Sequence, residues 1–313
     1  TGVAVRSLYG AEASTLQPRP EDLFDLDLVV VDVPDIGSRY YTFAATMDAT
    51  MAACERAGVE VLVLDRPNPI CGLRVEGNCL SGKWTSFVGR YPIPMRHGLT
   101  IGELSKMFNS QFGIDCDLTV IPMAGWKRSM YFHDTGLPWV APSPNLPTVD
   151  STLVYPGQVL WEGTNVSEGR GTTQPFELCG APFLDTGKIL DSINNQIAGA
   201  VLRPAVFEPT SNKWQEISCN GFQIHVTDPE VFRPYRTSLQ LLQRVLNIHR
   251  DQFEWKPPPY EYETKRLPID LIIGDQSIRR RLEAGEPVED IEASWQTELQ
   301  EFREISRQFH LYS

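Results

Sequence analysis

Residues 161 to 177, WEGTNVSEGRGTTQPFE, carry three glutamates and one arginine on a backbone rich in glycine and threonine. Paired carboxylates are the groups that hydrolyse a glycosidic bond: one protonates the leaving oxygen, and the other activates water or attacks the anomeric carbon. Glu162, Glu168 and Glu177 are therefore candidates, and Arg170 would pair with a carboxylate or bind substrate. The alternative is a hydrogen-bonded structural loop whose glutamates cap neighbouring backbone groups.

The composition of this stretch also predicts where it lies. It has no leucine or isoleucine, which predicts that it is not a core element, and its glycines and threonines disfavour a stable exposed helix. We expect a polar loop bent at its glycines that holds Glu168 in a mobile setting.

A second candidate segment is the loop KWTSFVGRYPIPMRHG, residues 83–98. It places Arg90, Arg96 and His97 near Tyr91, and its prolines stiffen the backbone. An aromatic face for stacking and a guanidinium fork for an acid suit a sugar that bears a carboxylate. The alternative is a rigid structural loop with arginine packed on tyrosine, in which His97 is a hydrogen-bonded structural residue.

The elements that must position these residues begin with alternating strands and helices. The valine-rich run at 26–33 and the apolar run at 59–65 predict strands buried on both faces, as in a parallel sheet. Between them, apolar residues at helical spacing predict a helix over 42–58 that ends at Gly58. A capping box formed by Thr100 and Glu103 predicts the start of the next helix. Further strands are predicted at 117–123 and 138–145.

The second half of the chain has a different pattern. Partial alternation predicts strands at 201–209 and 221–228, and apolar periodicity predicts helices at 237–250 and 288–310. The fold class is therefore α/β, with a mostly parallel sheet followed by a smaller α+β domain.

Three predicted strands end in loops rich in Pro, Asp and Asn, at 32–41, 65–72 and 141–150. Because ligands bind beyond the carboxyl ends of the strands in an open parallel sheet, these loops predict a cleft at one edge. For each loop taken alone, ordinary turn chemistry is the competing explanation.

Composition narrows the range of partners and cofactors. A net charge of -12 disfavours duplex nucleic acid and anionic lipid surfaces, and no apolar run is long enough for a membrane span. No dinucleotide-binding G-x-G-x-x-G follows a strand and no Walker loop occurs, so no nucleotide cofactor is expected. The six cysteines form no C-x-x-C, which argues against a structural zinc site. They are predicted to be mostly reduced, with a disulfide between Cys71 and Cys79 left open.

Several blocks taken together resemble a known family, and they cover essentially the whole chain. They are DVPDIGSRYYTF, LDRPNPICG, FVGRYPIPMRHGLTIGEL, PSPNLPTVDSTLVYPG and WEGTNVSEGRGTTQPFELCGAP, followed by GFQIHVTD and the closing helix. This pattern is similar to the NamZ-type exo-β-N-acetylmuramidases, a group of bacterial glycoside hydrolases.

The resemblance implies a function and an architecture. Such enzymes release N-acetylmuramic acid from the non-reducing end of peptidoglycan fragments without a nucleotide cofactor, and they are secreted or periplasmic. The implied fold is a Rossmann-like domain, here 1–160, followed by a smaller domain, here 161–313, with the active site in the cleft between them. The expected partners are saccharides that contain N-acetylmuramic acid.

The resemblance also sharpens the roles of the candidate residues. It gives Glu168 and Glu162 the acid and base work, and it offers the lactyl carboxylate of the sugar as a partner for one of the arginines. The implied substrate-binding set, which includes residues at the floor of the cleft, is Arg90, Tyr91, Arg96, His97, Asn165, Arg170, Asp32, Asp35, Arg39, Asn68, Asn145 and Glu177.

One departure from the family pattern motivates an alternative function. Relatives carry a further stretch with a Pro-Glu-His-Gly motif before the SLYG block, and this sequence opens at Thr1, past that position. If that glutamate is catalytic, the chain in hand lacks one catalytic group. The alternative is therefore a non-catalytic protein of the same fold that binds muropeptides.

Overall fold

The computed structural model describes residues 2–10, 12–193 and 196–313. Its strands are β1 Leu28–Val31, β2 Glu60–Leu64, β3 Glu76–Cys79, β4 Pro94–Arg96, β5 Leu118–Ile121, β6 Leu178–Ala181, β7 Ala200–Phe207 and β8 Cys219–Val226. Its α-helices are α1 Pro20–Leu23, α2 Phe43–Ala57, α3 Ile101–Gln111, α4 Val149–Gln158, α5 Thr186–Ile193, α6 Pro234–Ile248, α7 Pro268–Ile273, α8 Gln276–Glu283, α9 Val288–Ala293 and α10 Gln296–Ser306. The 3₁₀ turns are Ala13–Leu16, Gly82–Trp84, Phe132–Thr135, Val159–Gly163 and Arg307–Phe309.

The first part of the chain is built on a parallel sheet, as the sequence predicts. Its strand order is β1-β2-β5, and both pairings are parallel. The helix predicted over 42–58 is α2, which ends where Gly58 takes a left-handed φ of 68°. The capping box is present at α3, where the Thr100 hydroxyl accepts from the Glu103 backbone N–H and the Glu103 carboxylate accepts from the Thr100 backbone N–H.

Two predicted elements differ in the structure. Residues 138–145 do not form a strand: the segment holds three prolines, which remove the backbone N–H groups that pairing needs. The helix predicted over 288–310 is interrupted, with α9 ending at Ala293 and α10 starting at Gln296. The apolar stripe nevertheless continues through the break, since Ile291, Trp295 and Leu299 are all buried.

The second part of the chain contains a separate antiparallel sheet. Its order is β6-β8-β7, with β8 paired to both neighbours. Helices α4 and α6 pack against each other so closely that a side chain on Gly157 would overlap the Pro234 carbonyl oxygen. This packing sets the start of the 161–177 loop, because the 3₁₀ turn Val159–Gly163 follows α4 directly.

Two hydrophobic clusters correspond to the two sheets. One surrounds the parallel sheet, and it also receives Phe302 of α10 and Phe309 beyond it. The larger one joins the antiparallel sheet and its helices to Ile36, Tyr40 and Tyr41, which follow β1. The loop after β1 is therefore shared with the second part of the chain, and the last helix returns to the first.

Arg39, predicted to line the cleft floor, ties the two parts together instead. It is 5% exposed, and its guanidinium donates to the carbonyls of Asn78 and Ile93 at 2.9 Å. It also donates to the carbonyls of Ile272 at 3.0 Å and Ile273 at 2.8 Å, in α7 of the second part. Burial lowers the pKa of Arg39. These contacts hold the first and second parts of the chain together, and the predicted role of Arg39 in the cleft floor stays a prediction.

Candidate active site

The 161–177 loop is part of the protein interior, contrary to the prediction from its composition. Trp161, Val166 and Phe176 are all at most 1% exposed. Paired backbone bonds between Ser167 and Gly180, of 2.8 and 3.0 Å, fix the middle of the loop against β6. The expected mobile setting is therefore wrong: aromatic and valine side chains between the polar residues anchor the loop.

Two glycines allow the loop to turn. Gly169 and Gly171 have φ angles of 78° and 81°, which side chains with a Cβ rarely adopt. A Cβ on Gly171 would lie 2.6 Å from the backbone nitrogen of Ser211. These turns place Arg170 between the carboxylates that precede it.

Glu162 and Glu168 meet at that arginine. Arg170 Nη2 lies 2.5 Å from Glu162 Oε1, and its Nε lies 3.2 Å from Glu168 Oε1. The remaining oxygens have other donors: the Tyr260 hydroxyl donates to Glu162 Oε2 at 2.6 Å, and Lys213 Nζ lies 2.8 Å from Glu168 Oε2. The structure thus brings the two predicted catalytic glutamates together.

Burial shapes the chemistry of this cluster. It lowers the pKa of Arg170, but the charges of Glu162 and Glu168 outweigh that effect, so that the net pKa is raised. For Tyr260, burial and then the neighbouring Glu162 both raise the pKa well above its ordinary value. Tyr260 therefore stays protonated at neutral pH and can donate its hydrogen bond to Glu162.

Aromatic rings connect this cluster to the loop after β1. Tyr41 packs edge-on against Tyr155 with centroids 6.2 Å apart, and Tyr155 packs against Phe176 at 4.7 Å. The Arg170 guanidinium lies 5.2 Å from the centre of the Phe176 ring. The Tyr41 hydroxyl is buried and makes no hydrogen bond within the described residues. The carboxylate cluster thus adjoins the carboxyl edge of the parallel sheet.

At that edge the structure brings together two further predicted residues, Asp35 and His97. His97 Nε2 lies 3.3 Å from Asp35 Oδ2, which also accepts from the Gly37 N–H at 2.6 Å. The Leu99 N–H donates to His97 Nδ1 at 3.1 Å, so the other ring nitrogen carries the proton toward Asp35. Asp35 Oδ1 is buried and has no partner within the described residues.

The charged residues of the 83–98 loop face the first part of the chain. Arg90 forms an ion pair with Asp48 of α2, and the Tyr91 hydroxyl donates to the same carboxylate at 2.5 Å. The Tyr91 ring stacks on Phe112 with centroids 4.2 Å apart. Arg96 is buried and donates to the Ile70 carbonyl. Their predicted contacts with substrate stay predictions, and each side chain already has a structural partner.

The 83–98 loop approaches the glutamate cluster only indirectly. Arg90 lines a hollow of about 420 Å³ together with Glu261 and Arg266. Tyr260, next to Glu261, is the residue that donates to Glu162. The segment around Tyr260 and Glu261 therefore lies between the 83–98 loop and the 161–177 loop.

The other predicted floor residues have varied surroundings. Asn68 is bonded to backbone groups of Leu99 and Ile70, and the Asn165 side chain bonds to Gln252 and Glu254. Asp32 is half-exposed and pairs with Arg66. Glu177 accepts from the Thr148 hydroxyl at 2.9 Å, and Asn145 lines a separate groove.

Four residues of the site escaped the sequence prediction, namely Tyr41, Tyr155, Lys213 and Tyr260. Tyr260 lies in KPPPYEYE, residues 256–263, whose three prolines are typical of a rigid connection, although its tyrosines that alternate with glutamates were a usable signal. Lys213 reaches Glu168 from 45 positions further along the chain, and no local pattern marks it.

Groups of three or more His, Cys, Asp or Glu that are suited to a metal ion do not occur among residues 2–10, 12–193 and 196–313. All six cysteines are free thiols, including Cys71 and Cys79. None of the helices described is long and apolar enough to cross a membrane.

Comparison with known proteins decides the family. The family model "Exo-beta-N-acetylmuramidase NamZ, N-terminal" matches residues 1–150, and the corresponding C-terminal model matches residues 153–312. This chain belongs to the exo-β-N-acetylmuramidase NamZ family. The membership confirms the resemblance seen in the sequence blocks.

Similar proteins agree with the NamZ assignment. A Bacillus subtilis (strain 168) protein named "Peptidoglycan beta-N-acetylmuramidase NamZ" is 44% identical over 313 residues, which are 100% of this chain and 73% of that protein. Two crystal structures of DUF1343 family proteins from Bacteroides fragilis NCTC 9343 have the same fold. One, 33% identical, has a TM-score of 0.89 and covers 100% of this chain and 81% of its own. The other, 28% identical, has a TM-score of 0.74 and covers 95% and 78%.

Proposed function

We propose that this protein is an exo-acting glycoside hydrolase that releases N-acetylmuramic acid from the non-reducing end of peptidoglycan fragments. The observation that carries the proposal is the pair of buried glutamates, Glu162 and Glu168, held on one arginine in a chain of the NamZ family. The relative named as a peptidoglycan muramidase matches over the full length of this chain. Nothing in these comparisons supports the non-catalytic binding alternative.

The surroundings of the two glutamates support different roles within the pair. Glu168 is the more buried and is held by two cations, Arg170 and Lys213. Glu162 shares one of those cations and has a neutral hydroxyl, that of Tyr260, on its other oxygen. Exchange of a neutral hydroxyl for a substrate group costs less than removal of a cation from a buried carboxylate. We therefore assign Glu162 to direct contact with the sugar and Glu168 to holding Arg170, with both needed for turnover.

The test compares wild-type protein with Glu162→Gln, Glu168→Gln and the exposed control Glu254→Gln. Wild type should release N-acetylmuramic acid, identified by mass, from an aryl N-acetylmuramide and from fragments that end in this sugar. Both site variants should lose about 100-fold or more in kcat/KM, Glu162→Gln because an acid–base group is removed and Glu168→Gln because Arg170 is no longer held in place, whereas the control should retain its rate. The proposal would be contradicted if wild-type protein released N-acetylmuramic acid from neither the aryl N-acetylmuramide nor the fragments.

The proposed location of the protein rests on the family resemblance alone. We place the protein outside the cytoplasm, in the periplasm or secreted, where it would act in cell-wall recycling. Fractionation of cells that express the natural gene, followed by immunodetection, tests this placement, and recovery only with cytoplasmic markers would contradict it.

A further inference from the structure

A polar groove lies beside the glutamate cluster. Its volume is about 810 Å³, and its polar wall includes Asn145, residues 171–174, Arg203 and Glu208, while Leu178 and residues 204–207 line an apolar side. The side chains of Asn145, Thr173 and Gln174 form no hydrogen bond within the described part of the chain, so their amide and hydroxyl groups are available to a ligand. Such a lining suits a polyhydroxylated molecule better than an apolar one.

The groove begins one residue from the cluster. Gly171 follows Arg170 in the chain and lines the groove. The Thr210 backbone N–H and hydroxyl both donate to the Gly171 carbonyl at 2.8 Å, which fixes this wall against the segment after β7. The groove therefore adjoins the residue that joins Glu162 to Glu168.

Arg203 supplies a positive charge in the groove. Its Nη2 donates to Gln223 Oε1 at 2.6 Å, and its Nε lies 3.4 Å from His225 Nε2. Neither partner is a carboxylate, and among the described residues no carboxylate lies within ion-pair distance of Arg203, although Glu208 lines the same groove. A guanidinium oriented in this way can still pair with an acid on a ligand.

A buried chain of hydrogen bonds sets the orientation of Arg203. Gln223 is 3% exposed, and its Nε2 donates to Glu177 Oε2 at 3.4 Å. Glu177 in turn accepts from the Thr148 hydroxyl at 2.9 Å, at the start of α4. The guanidinium is thus positioned from the interior, unlike a freely rotating surface arginine.

The arginines named from the sequence are less available. Arg90 pairs with Asp48, Arg170 is shared by two glutamates, and Arg96 is buried against backbone carbonyl oxygen. At Arg90 and Arg170 a lactyl carboxylate would have to displace a carboxylate that is already paired, which leaves that acid buried without its cation. At Arg96 it would have to enter a buried position against the Ile70 carbonyl. Arg203 requires no such displacement.

We propose that this groove is a saccharide subsite in which Arg203 binds a lactyl carboxylate of the ligand, with Glu177 positioning Arg203 through Gln223. The inference rests on the proposed function for the identity of the ligand. Muramic acid units carry this carboxylate, so it belongs either to the sugar that is released or to a muramic unit of the departing fragment.

Calorimetry of ligand binding to the full chain distinguishes the released sugar from the departing fragment as the source of the carboxylate, and it does not require turnover. The probes are N-acetylmuramic acid, for the released sugar, and the disaccharide N-acetylglucosaminyl-N-acetylmuramic acid, for the departing fragment. N-acetylglucosamine lacks the lactyl group and serves as the neutral probe. Arg203→Gln should weaken binding of at least one acidic probe about tenfold or more, and it should leave the neutral probe unchanged.

The matched control is Arg244→Gln, because Arg244 is likewise held by a glutamine, Gln196, but lies on α6 away from the groove. It should bind every probe as wild type does. Arg203→Lys, which keeps the charge, should recover part of the lost affinity, and Glu177→Gln should show a smaller loss than Arg203→Gln.

The outcomes are distinct. A loss confined to the monosaccharide supports the released sugar as occupant, and a loss confined to the disaccharide supports the departing fragment. Unchanged binding of both acidic probes, or an equal loss for N-acetylglucosamine, overturns the proposal. Absence of hydrolysis by wild-type protein would contradict the proposed function. The calorimetric comparison of Arg203→Gln with wild type would still decide whether the groove binds the carboxylate, because it does not require turnover.

Discussion

The 83–98 loop, with two arginines, and the 161–177 loop, with one, both combine arginine with aromatic residues, yet their charges are paired differently. In the first, Arg90 has its own counterion, Asp48, at the loop's own domain. In the second, Arg170 is shared by Glu162 and Glu168, and other segments contribute further donors to both acids. An arginine paired with a single carboxylate stabilises its own loop. An arginine shared by two carboxylates that have further donors links segments that are distant in sequence. The comparison suggests that the second loop carries the chemistry.

The largest expected effect is that of Arg170→Gln. Its removal leaves Glu162 and Glu168 buried without their common cation, a situation that costs about 3–5 kcal/mol in comparable buried pairs. We expect a loss of that order in the free energy of unfolding, measured with denaturant. We also expect a loss of about 100-fold or more in kcat/KM on an aryl N-acetylmuramide, because both proposed acids are displaced.

Arg236→Gln is the matched control for that variant, because Arg236 also joins two glutamates, Glu289 and Glu292. The Glu289 side chain is 55% exposed, however, so this network is worth less than about 1 kcal/mol. If the two variants lost similar stability, burial would not be what distinguishes the 161–177 loop, and the comparison would have to be given up.

A second prediction concerns Glu76, whose charge lies near Arg96 of the other loop. Burial raises the pKa of Glu76 to about 7, against an ordinary value of 4.5, although the Arg236 N–H and Arg96 oppose the shift. Between pH 4.5 and about pH 7, the Glu76 carboxyl is therefore protonated in the folded protein but ionised in the unfolded chain. As pH rises from about 4.5 to about 7, this group makes the protein progressively less stable, and above that range the penalty is constant.

Glu76→Gln should remove this pH dependence. Relative to wild type, its free energy of unfolding should improve by on the order of 3 kcal/mol between pH 4.5 and pH 8, which corresponds to the pKa shift. Urea unfolding of both proteins across that range measures the difference. Parallel curves for the two proteins would show that Arg96 already compensates Glu76 fully, and that the 83–98 loop has a more strongly coupled charge network than we infer.

Local signals predicted much of the fold. The valine runs, the apolar spacing of α2, Gly58 and the Thr100–Glu103 capping box each depend on neighbours in sequence, and the structure confirms them. The short strands β3, β4 and β6 were missed, because they pair through contacts distant in sequence and carry little alternation. The strand predicted at 138–145 is absent, because its three prolines remove backbone N–H groups that strand pairing needs.

The site was predictable in its residue types but not in its environment. The glycines and acids of 161–177 indicated a functional loop, and Glu162 and Glu168 do meet. Their burial depends on Trp161 and Phe176, whose packing partners lie in other segments, and Lys213 arrives from a distant turn. Side-chain direction decided the rest: Tyr91 faces Phe112 rather than a groove, and spacing alone does not reveal that choice.

The smallest expected effect is that of Arg90→Gln. The Arg90 side chain is 42% exposed, but its partner Asp48 is 1% exposed and would keep only the hydrogen bond from Tyr91, so the loss of stability should be about 1–2 kcal/mol. KM for the aryl N-acetylmuramide should change less than about threefold, since a contact that is not made in the complex contributes nothing to KM. A tenfold rise in KM with unchanged stability would instead place Arg90 against the substrate. The hollow that Arg90 shares with Glu261 would then belong to the active site, and both loops would face one ligand as the sequence first indicated.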